Sequence, residues 1–304
     1  MAIYVLGSIN TDLFFDVPHF VRPGETLMPG SVQILPGGKG LNQAVACAKA
    51  GSKTWMGGRI GKDGAFLLEM LNQADVNTDL VGVDNQILSG KALIQRDAAK
   101  ENAIVLYPGT NHAIFPAQVD EFFDSIPDQE ILLLQNEISS LPYILQKAKT
   151  KQMQIFFNPA PMTDEIKALD LSMIDVLIVN ETEGKELLGE QGNPKAICAK
   201  WVESHPDCAI VMTLSSKGSL YMDHDYFFEI SAYTMPVVDT TGAGDTFIGY
   251  LVSGIDRGLP IEKALKQASY GAALSVTKPG AAPSIPTLEQ VEAGLKALES
   301  QAKN

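Results

Sequence analysis

The sequence predicts an α/β protein: a doubly wound, mainly parallel sheet carrying a small discontinuous β lid. Three observations predict it. Strand-like and helix-like segments alternate through most of the 304 residues, the pattern of a parallel sheet covered on both faces. Polar residues directly follow five of the apolar strand segments, where open α/β sheets place their ligand-binding edge. Two stretches, 13–35 and 88–107, break the alternation with β-branched, alternating patterns between Pro and Gly turns.

Taken in order, residues 3–8 form an apolar run that reads as a first strand. Residues 13–35 read as short antiparallel strands, and the small-residue segment 41–50 as a helix. A strand at 54–57 and a helix at 63–74 follow, then the second antiparallel excursion at 88–107. Four aliphatic residues in a row mark a buried strand at 131–135, paired in sequence with a helix at 141–149. Strands at 154–157, 176–179, 209–213 and 220–222 are interleaved with helices at 183–188 and 195–204. Val237 and Val238 read as a strand-like approach to a helix at 245–256, where Phe247, Ile248, Leu251, Val252 and Ile255 share one face. Helices at 261–276 and 288–298 close the chain. The main α/β domain thus comprises 1–12, 36–87 and 108–304, and the lid comprises 13–35 and 88–107.

A formal net charge of −13 argues against nucleic acid or an anionic membrane as the main partner. It does not exclude a phosphate ligand, which a helix N-terminus and one lysine can hold locally. The longest apolar runs are too short to span a bilayer, and the N-terminus reads as a strand rather than a signal peptide. Three scattered cysteines without a CxxC pair, and four isolated histidines, argue against a disulfide framework or a zinc site and fit a cytoplasmic protein.

The chemistry is concentrated in three glycine-bearing or acidic junctions. In Asp239-Thr240-Thr241-Gly242-Ala243-Gly244-Asp245, glycines allow close approach to a helix N-terminus whose free N–H groups and dipole favour an anion. A carboxylate at that same spot, Asp245, repels an anion unless it serves as a general base for a hydroxyl that attacks a phosphorus. A plain helix cap is the competing reading. Gly37-Gly38-Lys39-Gly40-Leu41-Asn42-Gln43 combines backbone access with the donors Lys39 and Asn42, but is neither a Walker A loop nor a dinucleotide fingerprint. Asn180-Glu181-Thr182-Glu183 sets oxygen groups at a strand-to-helix junction, suited either to Mg²⁺ or to helix capping by Thr182.

Together with Gly7-Ser8-Ile9-Asn10-Thr11-Asp12, Asn158-Pro159-Ala160-Pro161 and Thr277-Lys278-Pro279-Gly280, these runs resemble the ribokinase-like (PfkB-type) carbohydrate kinases over nearly the whole chain. The resemblance implies Asp245 as base and the backbone of Gly242, Ala243 and Gly244 as anion hole. It implies sugar contacts from Asn10, Asp12, Gly38, Lys39, Asn42 and Glu137. The nucleotide site would use Asn180, Thr213, Ser215, Gly218, Gly244 and Ser269. ATP would be accompanied by Mg²⁺, organised by Glu183 and Asn180 through water. An activating K⁺ would sit among Asp239, Thr241, Ser275, Lys278, Gly280 and Ser284, largely on backbone oxygens. The implied reaction is phosphorylation of a small sugar, D-ribose at O5, by a homodimer clasped through its β lids. Alternatives are a kinase of a nucleoside, fructose or 2-keto-3-deoxygluconate and, more distantly, a non-catalytic sugar-binding protein. Three departures stand out: Ser269 near the adenine, Phe14 and Phe15 on the sugar-facing strand, and a 97–101 segment without the glycine-rich turn.

Overall fold

The computed structural model describes residues 1–99 and 101–301; Lys100, in the 97–101 segment, and residues 302–304 lie outside the described residues. The first strands are β1 (Ile3–Leu6), β2 (Asn10–Asp16), β3 (Ser31–Gly37), β4 (Thr54–Gly61), β5 (Val76–Asp84), β6 (Gly90–Arg96) and β7 (Asn102–Tyr107). The later ones are β8 (Ile131–Gln135), β9 (Gln154–Asn158), β10 (Val176–Asn180), β11 (Ala209–Thr213), β12 (Ser219–Met222) and β13 (Phe227–Ile230). Helices α1 (Lys39–Lys49), α2 (Ala65–Gln73), α3 (Pro116–Asp124), α4 (Leu141–Thr150) and α5 (Asp164–Lys167) lie in the first part of the chain. Helices α6 (Glu181–Leu188), α7 (Pro194–Ser204), α8 (Ala243–Asp256), α9 (Ile261–Ser275) and α10 (Leu288–Gln301) complete it.

Nine strands form the main sheet in the order β13-β12-β11-β10-β9-β8-β1-β4-β5. From β11 to β5 every pair is parallel, and only the β12 and β13 edge is antiparallel. Alternate residues along each strand feed opposite layers. Val5, Leu133, Phe156 and Ile178 pack beneath α1, α8 and α9, whereas Leu134, Phe157, Val179 and Met212 pack against α3, α4 and α7. Both faces are therefore buried, which is why the central strands read as continuous apolar runs.

Helix α8 is buried on nearly all sides, not only on the face that its periodicity marks, because it is wedged between α1 and α9. Gly249 makes the α1 contact possible. A methyl group there would lie 2.3 Å from Ala46 Cβ and 2.8 Å from both Cys47 N and Gln43 O. The backbone atoms cannot yield, so any side chain at 249 pushes α1 away from α8.

Four elements escape the sequence reading: β5, α3, α5 and β13. β5 is a half-exposed edge strand interrupted by Asn77 and Asp79, and α5 is a single turn. Val237 and Val238 do not form a strand; they lie in an extended loop and are 66% and 51% exposed. A β-branched pair has no ladder to join there, since the sheet has already ended at β13.

The two excursions form a second sheet, β3-β2-β6-β7. It is mixed, not antiparallel as the sequence suggests. Each excursion is an antiparallel hairpin, but their outgoing strands lie side by side, so β2 and β6 pair in parallel from Asn10↔Gly90 to Asp16↔Arg96. Phe14, Ala92 and Ile94 form its inner core, with Leu35 packed against them. On the other face Ile34, Leu13, Leu93 and Val105 stand in register across the four strands, with Ile34 and Val105 60% and 65% exposed.

Candidate active site

The end of β1, the start of α1 and the start of α8 converge on one spot. Two glycines let the first two meet. A Cβ at Gly7 would lie 2.1 Å from Gln135 Oε1, and one at Gly40 would lie 2.6 Å from Ser8 N. Leu41 N–H donates to Ser8 O at 3.0 Å and Gly40 N–H to Ser8 Oγ at 3.3 Å. Ser8 Oγ donates onward to Glu137 Oε2, which also accepts from Lys39 N at 3.2 Å. The orphan donors of the first turn of α1 are thus satisfied by a serine and a glutamate from two neighbouring strand ends.

Asp245 stands in the first turn of α8, behind Gly242, whose φ of +73° suits glycine. Both carboxylate oxygens accept from α1: Oδ2 from Asn42 Nδ2 at 3.0 Å and Oδ1 from Gln43 Nε2 at 2.9 Å. A buried amide chain fixes which end of Gln43 faces the acid. Asn158 Nδ2 donates to the Ile178 carbonyl at 3.0 Å, so Asn158 Oδ1 is left to accept from Gln43 Nε2 at 3.4 Å. Gln43 Oε1 then accepts from Gln135 Nε2 at 2.7 Å. Gln43 and Gln135 are fully buried. Sequence reasoning gave neither a role, because an uncharged amide beside a glycine run carries no spacing signal. The adjacency of Gln43 to Asn42 in a helix's first turn was the one cue.

Asn10, Asp12 and Asn42 are buried beside this centre, and Asn42 Oδ1 is sealed without a partner. Burial, together with the nearby Glu137 and Asp245 carboxylates, pushes the Asp12 carboxyl up to about 7, against the opposing pull of Lys39. Burial works against a charge on Lys39, yet Asp245, Glu137, Glu183 and Asp12 outweigh it and raise its pKa above the ordinary lysine value. A lone ammonium among four carboxylates is the electrostatic centre of the site.

On the other side of the α8 N-terminus opens a cleft of about 460 Å³. Thr213, Ser215, Gly218, Gly244 and Ser269 all line it, with apolar cover from Tyr233, Phe247 and Val276. Ser269 Oγ is buried there without a partner. A Cβ on Gly244 would meet nothing within 4 Å, so this backbone faces open space. Ala243 N–H donates to Thr240 O at 3.2 Å, whereas the Gly244 N–H has no protein acceptor among the described residues. Asn180 does not line the cleft. It forms a reciprocal cap with Glu183 at α6, Asn180 N–H to Glu183 Oε2 at 2.8 Å and Glu183 N–H to Asn180 Oδ1 at 2.9 Å. The cap is therefore Asn180 and not Thr182. Among the described residues no group of three or more His, Cys, Asp or Glu side chains is placed to hold a metal.

Asp239 ties two loops together. Its Oδ1 accepts from Thr241 N at 2.9 Å and Thr241 Oγ1 at 2.6 Å, and its Oδ2 from Gly280 N at 2.8 Å. Burial pushes the Asp239 carboxyl up, but these hydrogen bonds prevail and hold it below the usual carboxylate range. Ser275 and Ser284 are buried in the 275–284 turn, where Ser275 O accepts from Lys278 N at 3.2 Å.

Residues 2–288 match the pfkB family carbohydrate kinases. A ribokinase of Haemophilus influenzae is 36% identical, covering 95% of this chain and 96% of that protein. The ribokinase of Cryptococcus neoformans var. grubii in complex with ADP superposes with a TM-score of 0.85 at 34% identity, over 96% of this chain and 98% of that one. Arabidopsis thaliana ribokinase complexed with ribose and ATP gives a TM-score of 0.84 at 29% identity, over 96% and 97%.

The raised Asp12 carboxyl has a consequence for stability. Its folded pKa lies above its unfolded value of 3.8, so between about pH 4 and about pH 7 the native state holds the extra proton. Its stabilising contribution is complete below that window and is lost as the pH rises through about 7. The difference in melting temperature between Asp12→Asn, which cannot ionise, and the wild type should be constant below about pH 4, move in the variant's favour between about pH 4 and about pH 7, and level off above that. A constant offset across that range contradicts the assignment.

Proposed function

The chain belongs to the pfkB family of carbohydrate kinases, and we propose that within it the protein transfers the γ-phosphoryl group of ATP to O5 of D-ribose, giving ribose 5-phosphate. The Asp245 carboxylate carries this reading. Two amide N–H donors of α1 hold it at the α8 N-terminus, beside a glycine backbone that faces the nucleotide-sized cleft. The acid takes the proton from the attacking hydroxyl, which is worth about two to four orders of magnitude in rate. The backbone of Gly242, Ala243 and Gly244 stabilises the charge on the transferring group, with the free Gly244 N–H foremost and the Ala243 N–H shared with Thr240.

Asn10, Asp12, Gly38, Lys39, Asn42 and Glu137 bind the sugar. Asn10 serves the 2-hydroxyl, which favours ribose over deoxyribose. Of the two phenylalanines that supported the nucleoside alternative, Phe14 is buried in the small sheet's own core and offers no open face for a base. ATP lies in the cleft of Thr213, Ser215, Gly218 and Ser269, whose orphan hydroxyl suits a ring nitrogen or an amine.

Glu183 and Asn180 suit Mg²⁺ through retained waters, since their mutual cap leaves Glu183 Oε1 unclaimed. The ion would neutralise charge on the ATP phosphates. Hard oxygens of Asp239, Thr241, Ser275, Lys278, Gly280 and Ser284 suit K⁺, which would stiffen the turn leading into α8. Residues 13–35 and 88–107 serve as the lid. Their exposed apolar row at Ile34, Leu93 and Val105 supports a homodimer clasped through the lids, in a cytoplasmic enzyme. No helix among the described residues is long and apolar enough to cross a membrane.

Asp245→Asn should keep sugar and nucleotide binding while kcat falls by about two to four orders of magnitude; a variant retaining most of its kcat refutes the base. Replacing K⁺ by choline should slow turnover, and equal rates contradict the cation loop. Light scattering should return twice the chain mass, whereas a monomer at micromolar concentration rules out the clasp.

A further inference from the structure

Asn111 lies in the turn Gly109–Ala113, directly after the last lid strand, and none of the readings above uses it. Its side chain is only 2% exposed and makes two hydrogen bonds. Asn111 Oδ1 accepts from Ile9 N–H at 3.0 Å, and Asn111 Nδ2 donates to Asn10 Oδ1 at 2.6 Å. Amide ends are interchangeable in shape, so their polarity must be argued from partners. Here one partner is unambiguous. A backbone N–H only donates, so the end of Asn111 facing Ile9 is the oxygen. The end facing Asn10 is then the NH₂ group, and the atom of Asn10 that meets it is the oxygen. The remaining end of Asn10, Nδ2, is therefore a fixed donor. It has no protein acceptor among the described residues, and it is not among the sealed orphan atoms.

The pair cannot readily rearrange. Gly90 closes over it: a Cβ there would lie 2.2 Å from both Asn10 Oδ1 and Asn111 Nδ2. The turn itself is pinned. Thr110 N–H donates to Leu88 O at 3.0 Å, Thr110 Oγ1 to Arg59 O at 2.8 Å, and Ser139 N–H to Asn111 O at 3.2 Å.

We propose that Asn111 is a positioning residue that sets the pentose preference of the kinase: it holds the Asn10 amide with its N–H donor presented to the substrate's 2-hydroxyl. The proposal rests on the sugar-site reading of Asn10. A rigidly held donor rewards a substrate that brings an acceptor oxygen and penalises one that leaves the donor unpaired. An amide freed from its clamp turns to another partner and loses both the reward and the penalty.

Asn111→Asp tests this, because it still accepts from Ile9 N–H but no longer donates to Asn10. Kinetics on D-ribose and 2-deoxy-D-ribose are compared in wild type and variant. The expected result is a fall of roughly tenfold or more in kcat/KM for ribose, carried by KM, with the deoxyribose value changed by less than about threefold. General damage to the fold lowers both substrates together and leaves their ratio intact; that outcome, in a wild type that does discriminate, overturns the role of Asn111 alone. A wild type that is indifferent to the 2-hydroxyl overturns the reading of Asn10 and this proposal with it. If the aspartate variant does not fold, Asn111→Ala, which also removes the donor, is read by the same ratio.

Discussion

Helix α8 can lie against α1 only because residue 249 has no side chain. That contact brings the first turn of α1 within hydrogen-bonding reach of the first turn of α8, and Asn42 and Gln43 then close on the two oxygens of Asp245. Most of the site follows from this. Gln43 is held in turn by Gln135 and by Asn158, and Asn158 is tied to the Ile178 carbonyl in the sheet. In the proposed role of Asp245 as base, a carboxylate held this way needs little reorganisation to meet a hydroxyl, the condition under which preorganised groups act best.

The same convergence is electrostatically costly. Asp12, Glu137 and Asp245 surround Lys39 in a buried region of a chain that already carries a net charge of −13. Burial and like charge raise Asp12, and among the buried polar atoms left without partners are Asn42 Oδ1, Gln135 Oε1 and Ser269 Oγ. The small sheet meets the same region, since its strand β2 carries Asn10 and Asp12 and the chain returning after β7 brings back Asn111.

The sequence made the central sheet and the functional edge legible because both leave strong local marks. Continuous apolar runs such as 131–134 report strands covered on both faces, and glycines at 38, 242 and 244 report backbone that must turn or lie open. The elements it hid have weak marks: β5 is polar at a sheet edge, and Val237 and Val238 mimic a strand where no neighbour exists. The pairing of β2 with β6 was invisible for another reason. Parallel alignment of two excursions more than seventy residues apart is a property of the assembled sheet, not of either hairpin. Gln43, Gln135 and Asn111 were missed because a neutral amide has no charge or spacing signature; its role exists only in the partners that the fold supplies.

Phosphoryl transfer to ribose is the claim on which these relations converge, and release of ADP measures it most directly. Purified protein with ATP, Mg²⁺ and K⁺ is offered ribose, 2-deoxyribose, fructose, 2-keto-3-deoxygluconate and adenosine in turn. The account predicts strong, saturable ADP release with ribose at low concentration and weak responses to the others. ADP release with another acceptor and silence on ribose would contradict the assignment of Asn10, Asp12, Lys39, Asn42 and Glu137, and silence on all five would contradict the kinase centre itself.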